Sequence, residues 1–267
     1  MTGEDTFELG KMDELGRMNT PAHRVDARAK ALVTFVFIGV VMSFPRHEIA
    51  ALTPFLLYPV VLLASGRIPA RYVVRRILIA APFALIIGII NPLIDRHPMV
   101  AIGPVVITGG WVSFVSIMFR FVLTVGAALA LIACTGIQRL GAALERLGVP
   151  RVFVVQLLFL YRYLFVLSDQ AVKMTRSVEM RSARRALPLR VYASMIGHLL
   201  LRALDRAERV YRAMLARGFD GEVRILRPTP FRGSDAVFVG GCLLLFLTGR
   251  LWNLADGLGR LLTGGAL

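Results

Sequence analysis

Lysine is almost missing from this chain of 267 residues, which has only Lys11, Lys30 and Lys173. No GxxxxGKS or GxxxxGKT run occurs, so the loop that cradles nucleotide phosphates is absent and ATP hydrolysis by that route is excluded. Histidine is scarce and scattered: His23, His47, His97 and His198 form neither an HExxH helix nor a His/Cys cluster. His97, near Asp95, is expected to be a solvated or hydrogen-bonded loop residue rather than a cation ligand. The two cysteines, Cys134 and Cys242, both lie in apolar runs without metal-type spacing, and no disulfide framework is indicated. Acids are few, 17 against 32 Lys and Arg, for a net charge of +15. Neither paired carboxylates nor a Ser-His-Asp arrangement can be read from the spacing, so the chain is expected not to be an enzyme and to hold no cofactor or metal of its own.

What the chain has instead is apolar length. Its hydrophobic share is 56% and its mean hydropathy +0.66, above the roughly 45–50% of a soluble domain even with glycine counted. The chain is expected in a lipid bilayer, and its positive charge is assigned to membrane and protein surfaces rather than to nucleic acid. Met1–Asp26 holds six acids and few apolar residues, and reads as a cytosolic tail with no cleavable signal.

Five spans are expected: Ala29–Pro45, Ile49–Ser65, Ile77–Ile94, Trp111–Thr135 and Ala236–Leu251. Pro54 and Pro59 should kink the second. Between the third and fourth, DRHPMVAIGPVVITGG alternates β-branched residues with Gly and Pro, the pattern of a short β-hairpin or an irregular loop. Gly136–Val149 is amphipathic and suits a helix on the membrane surface or on the basic helices that follow. Phe153–Leu167 is apolar enough to span, but as a span it would carry the basic helices to the side opposite Arg67–Arg76. Positive-inside counting places 18 of the Lys and Arg in 136–235 and favours a tilted, partly embedded helix that leaves on the cytosolic side. Arg120 lies inside the fourth span, where a charge costs about 2.5–3.5 kcal/mol on insertion scales. It reads as a bundle-interior arginine bonded to backbone carbonyls, with a path or partner contact as the alternative. Arg162 and Arg250 sit near segment ends and can snorkel.

Two basic helical stretches follow, each ending in an arginine between small or apolar neighbours: Met180-Arg181-Ser182, and Ala216-Arg217-Gly218. Leu164, Leu167, Ala171, Met174 and Val178 step by three and four to Arg181. Tyr192, Ile196, Leu199, Ala203, Ala207, Val210 and Met214 step likewise to Arg217. Both arginines therefore prolong apolar seams, which suggests contact with something acidic beyond the packed part. Pro188 separates the helices, and Gly218 suits the left-handed residue that ends one. Asp205/Arg209 and Glu208/Arg212 have the spacing of helix-stabilising pairs.

These signatures resemble the twin Ala-Arg-Ser/Gly motifs of the transmembrane (T) component of energy-coupling factor (ECF) transporters, importers of vitamins and metals in bacteria. Thr20-Pro-Ala-His-Arg-Val-Asp-Ala-Arg-Ala-Lys30 is similar to the segment before the first membrane helix in the cobalt and nickel members. Met180 stands where the family has alanine, and the first coupling arginine is Arg181 or Arg184.

The resemblance implies an all-α integral membrane protein of about five membrane helices plus a cytosolic pair of long basic coupling helices. Its parts would be a tail (1–28), membrane helices 1–4 (29–135), a cytosolic or interfacial coupling module (136–233), and the last membrane helix and tail (234–267). It further implies energy coupling for cobalt import across a bacterial inner membrane. Met180, Arg181, Ser182, Arg184, Ala216, Arg217 and Gly218 would meet two cytosolic ATP-binding subunits, which use the ATP. A separate membrane subunit would bind the substrate. Nickel or another micronutrient, or a basic membrane scaffold without a transport role, are the alternatives.

Overall fold

Proline and glycine set where the apolar sequence is interrupted, and between those breaks nine stretches of the described residues are helical. The computed structural model describes residues 20, 25–45, 49–94, 98–102, 105–182, 188–220 and 232–251. Arg184 and most of the amino-terminal tail lie outside these residues. The described residues fall into two compact units, 137–220 on one hand and 20–136 with 232–251 on the other.

The larger unit begins with α1 (Ala27–Met42), started by Asp26, whose carboxylate accepts the Arg28 N–H at 2.8 Å. A 3-10 turn (Ala50–Leu56) containing Pro54 runs into α2 (Leu57–Gly66), so the kink expected from proline takes the form of a tighter helix. Next come α3 (Ala70–Ile94), an antiparallel hairpin of β1 (Pro98–Ile102) and β2 (Val105–Thr108), and α4 (Gly109–Thr135). The last helix, here α8 (Gly233–Leu251), belongs to this unit as well. Apart from the hairpin the architecture is helical, as the composition requires.

Val33, Phe37 and Val41 recur every four residues on α1 and are fully buried. Phe37 sits within 4.8 Å of the Tyr58 ring and 5.4 Å of Phe246, centroid to centroid, which joins α1, α2 and α8 through one aromatic cluster. On α4 most of the buried residues are small, among them Gly126, Ala127, Ala130, Ala133 and Cys134, with Leu123 and Leu131 the large ones, and the small ones let neighbouring helices approach closely. By contrast α3 exposes Leu78, Phe83, Ile86 and Ile87, a surface stable only against lipid.

One end of this unit is polar and buried. Asp235 accepts the Asp26 N–H at 3.0 Å and the Arg232 N–H at 2.8 Å, and Lys30 Nζ donates to the Cys134 carbonyl at 3.0 Å. The aspartates thus stand at the positive ends of α1 and α8, and the lysine at the negative end of α4. Thr34 hydrogen-bonds Tyr58 at 2.7 Å one turn further in. Sequence reading places Lys30 at the mouth of a span and assigns it no partner. Its carbonyl acceptor is 104 positions away.

Gly66 allows a close approach of α2 and α4, since a Cβ there would lie 2.6 Å from Cys134 Sγ. Gly66→Ala is therefore expected to cost about 1–3 kcal/mol through overpacking, and Cys134→Ala should recover part of that loss. Thermal unfolding of the single and double variants in detergent measures the coupling. Strictly additive losses would contradict the contact.

Four helices among the described residues are long and apolar enough to cross a membrane: residues 70–92, 109–135, 151–181 and 233–251. Residues 51–66 form a shorter apolar helix, and α1 has 16 residues. The third expected span starts earlier than sequence suggests, because α3 takes in Arg71, Arg75 and Arg76. Phe153–Leu167 lies within a single unbroken helix of 31 residues.

Candidate docking site

The smaller unit carries both arginine signatures. Its first helix, α5 (Ile137–Arg146), ends in a cap in which Gly148, at φ +102°, donates to the Glu145 carbonyl and Val149 donates to that of Leu144. Arg151 then meets Glu145 at 3.0 Å and fixes the start of α6 (Arg151–Arg181). Gly141 faces Leu158 so closely that a Cβ would lie 3.1 Å from its Cδ2, and Ala143 and Val154 are buried at this contact. The amphipathic pattern of 136–149 is accounted for by packing of α5 on α6.

The second long helix, α7 (Leu189–Ala216), has no buried residue. It meets α6 at a crossing where the Arg206 guanidinium lies 6.0 Å from the centre of the Tyr163 ring. A cavity of about 530 Å³ opens there, lined by Phe159, Tyr163 and Leu167 of α6 and Ala203, Val210 and Met214 of α7. The expected seams are present but half-open. Met174 and Val178 of the first, and Ala203, Val210 and Met214 of the second, are partly covered, whereas Ile196 is 67% exposed.

Distances along the helices place the arginines. From the crossing, Tyr163 to Arg181 is about 27 Å and Leu189 to Arg206 about 26 Å at ~1.5 Å per residue. Residues 182–188 reach at most about 24 Å, so Arg181 and Leu189 lie on the same side of the crossing. Arg217 lies about 16 Å beyond Arg206 on the other side of the crossing, so the two arginines are about 40 Å apart.

Each tip is exposed. Met180 is 72% accessible, and Arg181, Ala216, Arg217 and Gly218 are exposed. Ser182 is half-buried and returns its hydroxyl to the Glu179 carbonyl at 3.1 Å. Gly218 has φ +75°, with its N–H on the Leu215 carbonyl at 2.9 Å and the Phe219 N–H on that of Met214 at 3.0 Å. This is the left-handed cap its sequence position suggests, and it holds Arg217 as the capping residue. Among the described residues no ion pair engages either arginine side chain. Pairing occurs instead on the helix flanks, Asp169 with Lys173 at 2.7 Å and Glu208 with Arg212. The expected Asp205/Arg209 pair does not form.

The tips therefore present two cations at the negative ends of two helix dipoles, a placement that stabilises the helices. Both are exposed, and guanidinium donors of this kind can bind carboxylates. Among the described residues no group of three or more His, Cys, Asp or Glu side chains converges on one point.

Comparison with known proteins matches residues 18–226 to the CbiQ family model, described as cobalt transport protein. A cobalt transport protein CbiQ of Rhodobacter capsulatus is 38% identical over 91 residues, which is 33% of this chain and 37% of that protein. The CbiQ of Salmonella typhimurium is 27% identical over 55% of this chain and 71% of its own length. An energy-coupling factor transporter transmembrane protein EcfT of Heliobacterium modesticaldum is 25% identical over 89% of this chain and 95% of its own. Since the family model takes in both basic helices, the membrane helices up to 135 and the whole of the 20–30 run, the chain belongs to the CbiQ family of cobalt transport proteins.

Proposed function

We propose that this multi-pass membrane protein is the energy-coupling component of an ECF-type importer for cobalt ions in a bacterial inner membrane. It passes motion from two cytosolic ATP-binding subunits to a separate membrane subunit that binds the ion. The observation that carries this reading is the pair of exposed cationic helix tips on opposite sides of one helix crossing, about 40 Å apart at ~1.5 Å per residue. That spacing is too wide for a single pocket and suits two separate subunits, each taking one tip. Arg181 and Arg217 would donate charge-assisted hydrogen bonds to acidic groups on those subunits. Ala216, Ser182 and Gly218 are small and admit a neighbouring backbone, while Met180 adds an apolar contact. Arg184 is the alternative to Arg181 as the donor of the first tip. The ATP is used by the partners, and this chain supplies no catalytic group.

The test is purification of the tagged chain from its native membrane in mild detergent. ATP-binding subunits and a small membrane subunit are expected to accompany it, and the assembly is expected to take up cobalt when reconstituted. Recovery of the chain alone, from membranes that accumulate cobalt through it, would refute the coupling role.

A further inference from the structure

A cavity of about 400 Å³ lies in the larger unit, at the end of α1 and α4 remote from the Lys30 junction. Its lining combines Arg120, Asn91, Ser113, Ser116 and Thr124 with apolar walls such as Phe121. So many polar groups in an apolar bundle need a reason, because an unsatisfied one costs several kcal/mol in hydrocarbon. Thr124 is accounted for by its hydrogen bond to the Arg120 carbonyl at 2.8 Å. Ser116 is not. It is 1% exposed, and its hydroxyl has no partner among the described residues.

Arg120 donates from Nη2 to the Pro45 carbonyl, which fixes the guanidinium at the cavity wall. Nearby, Arg250 lies 4.8 Å from the centre of the Phe44 ring, so two cations gather at the 43–45 turn. Trp111, 55% exposed, stands nine residues before Arg120 on α4, about 13 Å along the axis. Exposed Trp marks a membrane–water boundary. Helical side chains lean toward the amino terminus, which lifts the guanidinium from that depth toward Ser116 and the boundary. The surrounding surface is apolar and open, with Met42 61% and Ile90 49% exposed.

We propose that this cavity binds a phosphate-bearing anion, with Arg120 and Ser116 as donors to its oxygens. The source that fits best is the headgroup of an acidic phospholipid, whose acyl chains would run over Met42 and Ile90. An arginine offers several donors in one plane, and a phosphodiester accepts two of them side by side. The proposal is independent of the transport role, since it concerns the lipid face of the bundle alone.

Native mass spectrometry of the chain extracted from vesicles of equal phosphatidylglycerol and phosphatidylcholine tests it. The wild type is expected to retain phosphatidylglycerol about tenfold over phosphatidylcholine, and Arg120→Gln to bring that ratio near one. Ser116→Leu keeps every charge but fills the cavity, and is expected to abolish the preference too. It decides the matter if Arg120→Gln fails to fold. Displacement of the lipid by millimolar inorganic phosphate would support the same site with a soluble source, and no displacement would support the lipid. Equal retention of both lipids by the wild type, or an unchanged preference in Ser116→Leu, would overturn it.

Discussion

Replacing both Arg181 and Arg217 with alanine is expected to abolish cobalt uptake and release the ATP-binding subunits, while the chain still inserts and folds. Each arginine ends a helix in an exposed position and, among the described residues, forms no ion pair. Surface substitutions of this kind change stability by only about ±0.5 kcal/mol. Truncating one member of a desolvated charge pair across an interface costs about 2–5 kcal/mol, and every ~1.4 kcal/mol is tenfold in affinity. A single substitution should therefore weaken its own contact by about thirtyfold or more. The assembly would partly survive it, because the second tip, about 40 Å away, still holds its own subunit and keeps the first one near.

Losing both tips removes that reserve, so the double variant is expected to fall further than the product of the two singles suggests. Arg→Lys at either tip should be intermediate, since lysine keeps the charge but not the planar fork. The measurements are co-purification of the ATP-binding subunits, radioactive cobalt uptake and the thermal midpoint of each variant. Normal association in the double variant with an unchanged midpoint would remove both arginines from the interface. Arg184→Ala, run beside Arg181→Ala, shows which of the two carries the first contact.

The tips were legible in the sequence because they rest on local rules. Steps of three and four bring Val178 to Arg181 and Met214 to Arg217, and a glycine after an arginine predicts the left-handed cap seen at Gly218. The hairpin at 98–108 was half legible, since alternating β-branched residues gave a strand period without excluding a loop. The separation of the tips was not. It depends on Tyr163 meeting Arg206, a contact 43 positions apart in sequence that no periodicity encodes. The seams also misled in one respect, for an apolar stripe reads as buried although Ile196 is 67% exposed. Arg120 lay between the two. Its cost in the bilayer was evident from sequence, and its bond to the Pro45 carbonyl fits the bundle-interior reading. The cavity beside it takes its shape from helices that are distant in the chain.

The second large effect is expected at Asp235, a residue that sequence reading passes over at the head of the last span. Asp235 is 2% exposed, and its two carboxylate oxygens accept N–H groups from two different places, Asp26 and Arg232. The Arg232 bond is local, an acid in the first turn reaching back to cap its own helix. The Asp26 bond crosses 209 positions and joins the start of the last helix to the start of the first. Alanine here strands one buried N–H and one part-buried N–H at about 1–3 kcal/mol each. It also removes the anion from two positive helix ends. Asp235→Ala is therefore expected to lose about 3 kcal/mol or more, enough to lower the yield of inserted protein severalfold. An asparagine in its place would keep one acceptor oxygen but turn an amide donor toward the other N–H, so Asp235→Asn should lose roughly half as much. Thermal midpoints in detergent, with hydrogen exchange read at the Asp26 amide, separate the local cap from the long-range tie. An Asp235→Ala variant whose Asp26 amide stays protected would show that apolar packing such as Phe37 on Phe246 holds the first and last helices together without the carboxylate.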